Sequence, residues 1–561
     1  MRVYKNVENI GLMTIVFIFC LEIITTTRLL TNGSVWGGDC FIAMIMSMVV
    51  CYWVSDNMKY IVLTTVICIF IFMAGTYICG HLYSIDWDGN AYHKMAIGCL
   101  KNGWNPIYES AQSFVNGYFN DSKIDSCAIW IDHYGKASWI FAANIYALTG
   151  KIECGKVYQL LAMESLFCLA APYMIRKGIK KWTAVMVSIL LVVNPVSFVQ
   201  IFSYYVDGFL FSYLFILILG LTRLLDAENR EQRKIAWLVI VCSMSVLANI
   251  KFTGLLYGGI YCVAYYILFS FYQWKCSLNL FSRETIWTGA GFFILAMISV
   301  GWIGFPAYIK NFLDHGSFTY PLTGSDIDII TGNSPRGFEG KSGMYKLFYG
   351  TFGRFGNIAY TSSEELPALK VPFFISGEEF VLPGTDMRIS GFGLLFSGIL
   401  IVSLGLIFYY FVCEKDDKRS RIYFGMNMLL IASLTLFISD SWWARYAPYL
   451  YLTAIFAVVI FSKLKYQTGW HLVVQKLVIL IIFLNNLYFV WQPADVVKRS
   501  PQISDELHQL SGSIINLTGA TVSNFPGKLF DFEDADISFS IVDEIREPDG
   551  SCYYEPWEYA E

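Results

Sequence analysis

Charge is what this chain of 561 residues has least of: Asp, Glu, Lys and Arg together make up 15% of it. A soluble domain carries about 25% charged residues to cover its surface, so a water-exposed globule of this length is excluded. The 40 basic and 44 acidic residues leave a net charge of −4. With no basic excess to meet a polyanion, no nucleic-acid partner is expected. The 14 cysteines show no Cys-x-x-Cys or Cys/His spacing, so neither a zinc site nor a redox pair is indicated. Most of them, such as Cys20, Cys68 and Cys242, sit inside apolar runs and count there as small hydrophobes. A Cys99–Cys127 disulfide in one polar stretch is the minor reading. A Gly-rich nucleotide-phosphate loop is absent, as is the internal repeat of inverted-repeat transporters.

What is abundant is apolar sequence: 56% hydrophobic residues, 17% aromatic and a mean hydropathy of +0.50. Runs of ~20 apolar residues, each able to cross a hydrocarbon core, recur near 10–29, 40–54, 60–80, 157–175, 182–203, 207–224, 235–250, 252–271, 285–304, 391–412, 422–438, 445–462 and 472–490. The first follows Arg2 and Lys5 without a small-residue cleavage site and reads as a retained helix. Basic clusters at Arg176–Lys181, Arg223–Lys234, Lys415–Arg421 and Lys463–Lys465 all fall on the cytoplasmic side if the N-terminus is cytoplasmic. The fold expected is an all-α polytopic membrane protein of about 13 transmembrane helices, spanning residues 1–490.

That topology requires 137–149 not to cross, and it predicts instead an amphipathic helix lying on the outer membrane face. Two large outer loops, 81–156 and 305–390, and an extracytoplasmic tail, 491–561, remain. The tail is acidic, with Asp531, Glu533, Asp534, Asp536, Asp543 and Glu544, and reads as a small cap or a partly disordered end.

Ionisable residues concentrate at the outer ends of the spans. Directly after the third run comes His81-Leu-Tyr-Ser-Ile-Asp86-Trp-Asp88-Gly-Asn-Ala-Tyr92-His93. Two carboxylates at a membrane surface are costly unless solvated, paired or used. One of them can accept a proton from an attacking hydroxyl, or the pair can hold a divalent cation with His93 or His133; a plain Asp-Gly turn is the alternative. Asp207 opens a span, either as a helix cap or facing a polar cavity. Lys251 lies in an outer turn, either snorkelling or meeting an anion. Arg445, in Trp442-Trp443-Ala-Arg445-Tyr446-Ala-Pro448, offers a planar fork suited to phosphate, or serves as an interfacial anchor. In the second loop His315, Arg336 and Lys341 are candidate contacts.

A spanning helix, an acidic residue just outside it, Tyr92-His93, Gly-Trp-Asn-Pro at 103–106, His133-Tyr-Gly-Lys136 and a helix ending in Leu148-Thr-Gly150 together resemble the GT-C membrane glycosyltransferases, which include protein O-mannosyltransferases and aminoarabinose transferases. The resemblance covers roughly 60–500 and also takes in the Arg-Tyr-x-x-Pro-like stretch at Arg445. It implies a plasma (inner) membrane enzyme that takes a sugar from a polyprenyl-phosphate donor and passes it, with inversion, to a glycan, lipid or protein acceptor. Under that resemblance Asp88, or else Asp86, is the catalytic base, with Tyr92 beside it. Asp207, His93 and His133 position the acceptor or a metal, and Lys251 and Arg445 bind the donor phosphate. No cofactor is fixed by the sequence; a divalent cation is the one option. Two other classes share the setting. A lipid-linked glycan transporter or flippase would spread polar groups through mid-membrane. An oligosaccharide polymerase or ligase acting on a diphosphate donor would favour paired arginines in an outer loop over an acidic base.

Overall fold

The computed structural model describes residues 2–55, 58–279, 281–323, 334–356, 366–465, 467–545, 550–552 and 557–559. Asn333 and the rest of 324–333 lie outside the described residues. Among the described residues ten helices are long and apolar enough to cross a membrane, from Tyr4–Leu30 and Ile61–Gly80 to Lys418–Phe437 and Gly469–Gln509. Four shorter apolar helices, Asp39–Val54, Ala137–Thr149, Lys181–Val192 and Pro448–Phe461, accompany them. The protein is a multi-pass, essentially all-α membrane protein. Among the described residues strands occur only as two short pairs, Ile514–Thr518 parallel to Ser538–Val542 and Gly550–Cys552 antiparallel to Trp557–Tyr559.

Contacts divide the chain into two compact units that alternate along the sequence. One comprises the described residues of Asn9–Ser165, Gln200–Ile327 and Ala494–Glu561; the other, those of Met1–Glu8, Leu166–Val199 and Asp328–Pro493. Residues 81–156 and the described residues of 494–561 therefore belong to the same unit, and each candidate site residue can be described within its own unit.

Residues 137–149 correct one expectation. They form a helix, Ala137–Thr149, but every residue from Ala137 to Tyr146 is buried. The helix is enclosed by protein rather than laid amphipathically on the membrane. Its neighbours are the helix Lys94–Lys101 and the turn Ile152–Lys156. The sequence Ala-Ser-Trp-Ile-Phe-Ala-Ala-Asn-Ile-Tyr is apolar on all faces, and a helix without a polar face is a core helix. At 13 residues it is about 20 Å long, short of a crossing.

What encloses it is partly the tail. Helix Leu529–Asp534 buries Leu529, Phe530 and Phe532, and Phe530 lies so close to Gly98 that a Cβ there would sit 2.2 Å from the ring. The tail's acids are used in the same place. Lys94, wholly buried, pairs with Asp531 at 2.6 Å and with Glu153 at 2.5 Å. Lys156 pairs with the other oxygen of Glu153 and donates to the Leu82 carbonyl. Burial opposes the charge on Lys94, but Asp531 and Glu153 outweigh it and hold its pKa above the ordinary lysine value. Asp534 accepts from the Tyr146 hydroxyl and the Ile152 amide, both at 2.6 Å, and Glu533 from the Tyr118 hydroxyl at 3.2 Å. The helix Leu529–Asp534 of the tail caps residues 81–156 through these contacts. Cys99 and Cys127 are free thiols, which corrects the disulfide reading; Cys99 meets Met95 and Cys127 the Ala91 carbonyl.

Two outcomes are expected. Removing the buried cation with Lys94→Ala strands Asp531 and leaves Glu153 to Lys156 alone, and breaking a buried pair costs about 3–5 kcal/mol; a thermal-unfolding series in detergent reads this as a large drop in melting temperature. Burial raises Glu533 to about 7 and Asp534 to about 6. Because the folded state binds these protons more tightly than a free carboxyl does, the contribution is complete below about pH 4 and is lost as pH rises through 6–7. Limited proteolysis of the tail should thus be faster at pH 8 than at pH 5.5, and Glu533→Gln with Asp534→Asn should flatten the difference.

Candidate functional site

The segment following the third span is held by its own acid. Asp86 is 5% exposed, and its carboxylate accepts the Gly89 amide at 2.7 Å, the Ser84 hydroxyl, and the Tyr204 amide at 3.4 Å. Burial raises its pKa, against the pull of the Ser84 and Gly89 hydrogen bonds. An Asp three residues before an amide caps the turn it starts, and here the turn widens into five π-helical residues, Gly89–His93. Gly89 has no room for a side chain, since a Cβ would lie 2.4 Å from Asp86 Oδ1. Asp88, two residues on, is half-buried. The two acids thus have different surroundings: Asp86 fastens the segment, and Asp88 keeps contact with solvent.

The π-turn aims Tyr92 and His93 at an aromatic group. His93, fully buried, accepts the Trp139 indole N–H at Nδ1, 2.7 Å away. Tyr92 stacks on Trp130 at 5.9 Å, and Tyr134 lies 6.3 Å from both Tyr92 and His93. Tyr134 continues to Phe252 at 6.5 Å, the residue next to Lys251. Gly135 makes that approach possible: a Cβ would lie 2.4 Å from the Asn249 carbonyl oxygen. His133-Tyr-Gly-Lys136 therefore packs directly on the Asn249–Phe252 turn. Lys136 is buried and spends its ammonium on the carbonyls of Ile131, Asp132 and Tyr134 at 2.7–3.1 Å; burial lowers it to about 7.

Asp207 and Lys251, singled out separately in the sequence, form a buried ion pair at 2.9 Å. Gln200 donates to Asp207 at 3.3 Å and accepts from the Gly208 amide at 2.8 Å. Tyr204, whose amide meets Asp86, precedes Asp207 by three residues, a distance of at most about 11 Å even in extended chain. The contacts close on themselves: Asp86 to Tyr204, along the chain to Asp207, across to Lys251 and Phe252, then Tyr134, and back through Tyr92 and His93. Asp86, Asp88, Tyr92, His93, Asp207 and Lys251 are brought together around one ring of contacts.

His133 joins a second group beside it. Its Nδ1 lies 2.7 Å from Asn311 Oδ1, and its ring packs 4.9 Å from His315 and 4.7 Å from Tyr320. Burial lowers its pKa to about 4, so it is neutral at physiological pH. Among the described residues no three His, Cys, Asp or Glu side chains gather where they could hold a metal ion. Asp86 is engaged by Ser84, Gly89 and Tyr204, and His93 by Trp139.

Arg445 belongs to the other unit. It is 6% exposed and donates to Asp386 at 2.6 Å, while Arg388 donates to the second oxygen of the same carboxylate at 2.6 Å. Trp443 donates to the Asp386 carbonyl at 2.7 Å and lies under both guanidiniums, 4.5 Å from Arg388 and 5.4 Å from Arg445. Two arginines share one acid on an aromatic floor. Arg388 and Asp386 were missed in the sequence; a Thr-Asp-Met-Arg string in a polar loop has no periodicity to mark it. Arg336 is exposed, and Lys341, exposed too, faces Tyr345 at 5.5 Å. Neither joins the Arg445 group in any described contact.

No family model, curated protein or solved structure matches the chain.

The Gly135 contact yields a direct expectation. Gly135→Ala forces a methyl into the Asn249–Ile250 backbone, and overpacking of this kind costs about 1–3 kcal/mol. Unfolding in detergent should register that loss, whereas Gly117→Ala, where a Cβ meets nothing, should leave the melting temperature unchanged or raised.

Proposed function

We propose that this protein is a GT-C-like glycosyltransferase that moves a sugar from a polyprenyl phosphate to an acceptor hydroxyl at the outer face of the membrane. On this reading the chain crosses about 13 times, with the N-terminus cytoplasmic and the tail extracytoplasmic. The observation that carries it is the ring of contacts joining the Asp86–Asp88 segment to the Asp207–Lys251 pair. It gathers an acid, a cation and stacked aromatic rings at span ends, where an amphiphilic donor would present its sugar.

The chemistry follows from the charges. The acceptor oxygen attacks the anomeric carbon, and its proton passes to the Asp88 carboxylate. The bond from that carbon to the phosphate oxygen breaks, and the phosphate leaves with the electron pair. The phosphate needs no proton to leave, only cations to stabilise the charge it gains. Asp86 is a positioning residue, because its oxygens already serve Ser84, Gly89 and Tyr204. Half-buried Asp88 suits the base. Aromatic faces such as Tyr92 and Trp130 suit a pyranose ring. Lys251, already paired with Asp207, answers charge only in competition with that carboxylate. Arg445 with Arg388, within the other unit, is an anion candidate of its own, because planar guanidiniums bind phosphate in bidentate fashion.

That arginine pair also favours a second reading, a polymerase or ligase using a lipid diphosphate, for which paired guanidiniums are the expected equipment; here the two come from different loops, before helix Phe396–Cys413 and after helix Lys418–Phe437. Donor specificity separates the two readings. With purified protein in nanodiscs, transfer from a polyprenyl-monophosphate sugar supports the first, and transfer only from a diphosphate-linked glycan supports the second. In the first case Asp88→Asn should lower kcat by about 10²–10⁴ with KM little changed and the melting temperature intact. Undiminished turnover would remove Asp88 as base. Arg388→Gln and Arg445→Gln should each weaken donor use in either case.

A further inference from the structure

We propose that the loop 366–382 dips into the membrane, its apolar side chains entering the leaflet at the end of the bundle where helix Phe396–Cys413 begins. The burial pattern of this loop is inside out. Lys370 and Glu379 are its buried residues, paired at 2.6 Å. Lys370 also donates to the Leu394 carbonyl at 2.9 Å, and Glu379 accepts the Phe355 and Ser376 amides, each at 2.9 Å. Its large apolar residues point the other way: Leu369, Val371, Phe374, Phe380, Val381 and Leu382 are all exposed, Val371 at 71% and Phe374 at 62%. A loop surrounded by water places its charges outside and its phenylalanines inside. The reverse arrangement fits an apolar surrounding, and contiguous exposed apolar surface marks an interaction site.

The occupant is the bilayer, because the loop is fastened to the spans at their ends. Phe373 lies against Gly398, the third residue of helix Phe396–Cys413, so closely that a Cβ on Gly398 would be 2.5 Å from the ring. Tyr488, immediately after helix Gly469–Leu487, donates its hydroxyl to the carbonyls of Glu379, at 3.0 Å, and Val381. Beside it Trp491 is 49% exposed. Tyr and Trp at the end of a span mark the level of the lipid headgroups. The loop is thus held at headgroup level by Tyr488 and stiffened by its buried ion pair, with its apolar tip free to enter acyl chains. This holds whatever chemistry the protein performs.

The test uses the full-length protein in nanodiscs, with Cys276, Cys413 and Cys552 replaced by serine and an environment-sensitive fluorophore attached at Phe374→Cys. Glu378→Cys, four residues on and highly exposed, serves as comparison, and Val371→Cys as a second reporter. Doxyl-labelled phosphatidylcholine should quench the labels at 374 and 371 at least twofold more than the label at 378, and aqueous iodide should show the opposite order. Equal iodide quenching at 374 and 378 would place the loop in water and overturn the proposal. Protection of 374 from both quenchers would overturn it too, with a second copy or another protein covering the patch.

Discussion

Charge buried by an apolar chain must be neutralised where it lies, and the cluster of Lys94, Glu153, Lys156 and Asp531 is where this protein meets that constraint most severely. Taking one ion out of water costs several kcal/mol even after relaxation, so none of the four is tolerable without the others. Glu153 is shared by two ammonium groups and also accepts the Ser84 amide at 3.0 Å, and Ser84 in turn donates to Asp86. The order of the candidate site thus descends from a salt-bridge cluster next to it. The acid that fastens the Asp86–His93 segment is itself fastened by groups whose charges were settled elsewhere in the fold.

This dependence explains why the tail is acidic. Residues 491–561 read in isolation as a charge-rich end with little to bury. In the fold, Asp531 travels 437 positions back along the chain to reach Lys94, and Asp534 reaches the Tyr146 hydroxyl across 388. The carboxylates of Asp531 and Asp534 are a counter-ion and a hydrogen-bond acceptor for donors in residues 81–156. Phe530 covers the same region at Gly98. The helix Leu529–Asp534 and residues 81–156 are one structural object divided between two places in the sequence.

How much of this was legible follows from the range of each interaction. Spans are local: ~20 consecutive apolar residues declare themselves, and ten such helices are present among the described residues. Helix Ala137–Thr149 was misread because its cover comes from residues far away, whereas an apolar run judged alone shows only that water is absent. Individual site residues were legible by type. Asp207 and Lys251 each stood out as costly where they lie, but nothing in a 44-residue separation says that they pair. Arg388 and Asp386 were invisible for the converse reason. Charged residues in a polar loop cost nothing until the fold buries them, and burial is decided by partners such as Trp443 that the local sequence does not identify.

The two cationic groups differ in a way that bears on how a phosphate would be met. Lys251 and Asp207 cancel one another, and an anion approaching them must displace a carboxylate already at 2.9 Å. Arg388 and Arg445 share Asp386 over the aromatic floor of Trp443. A guanidinium is more weakly hydrated than an ammonium and presents donors in a plane, so such a group can exchange a carboxylate oxygen for a phosphate oxygen at low cost. On the proposed reading, the arginine pair is therefore the better anion receptor, and the Asp207–Lys251 pair does its work by fixing the Asn249–Phe252 turn against Gly135. The sequence named Lys251 and Arg445 together as phosphate ligands; a planar guanidinium pair against an ammonium bound to its own carboxylate argues for one receptor and one brace.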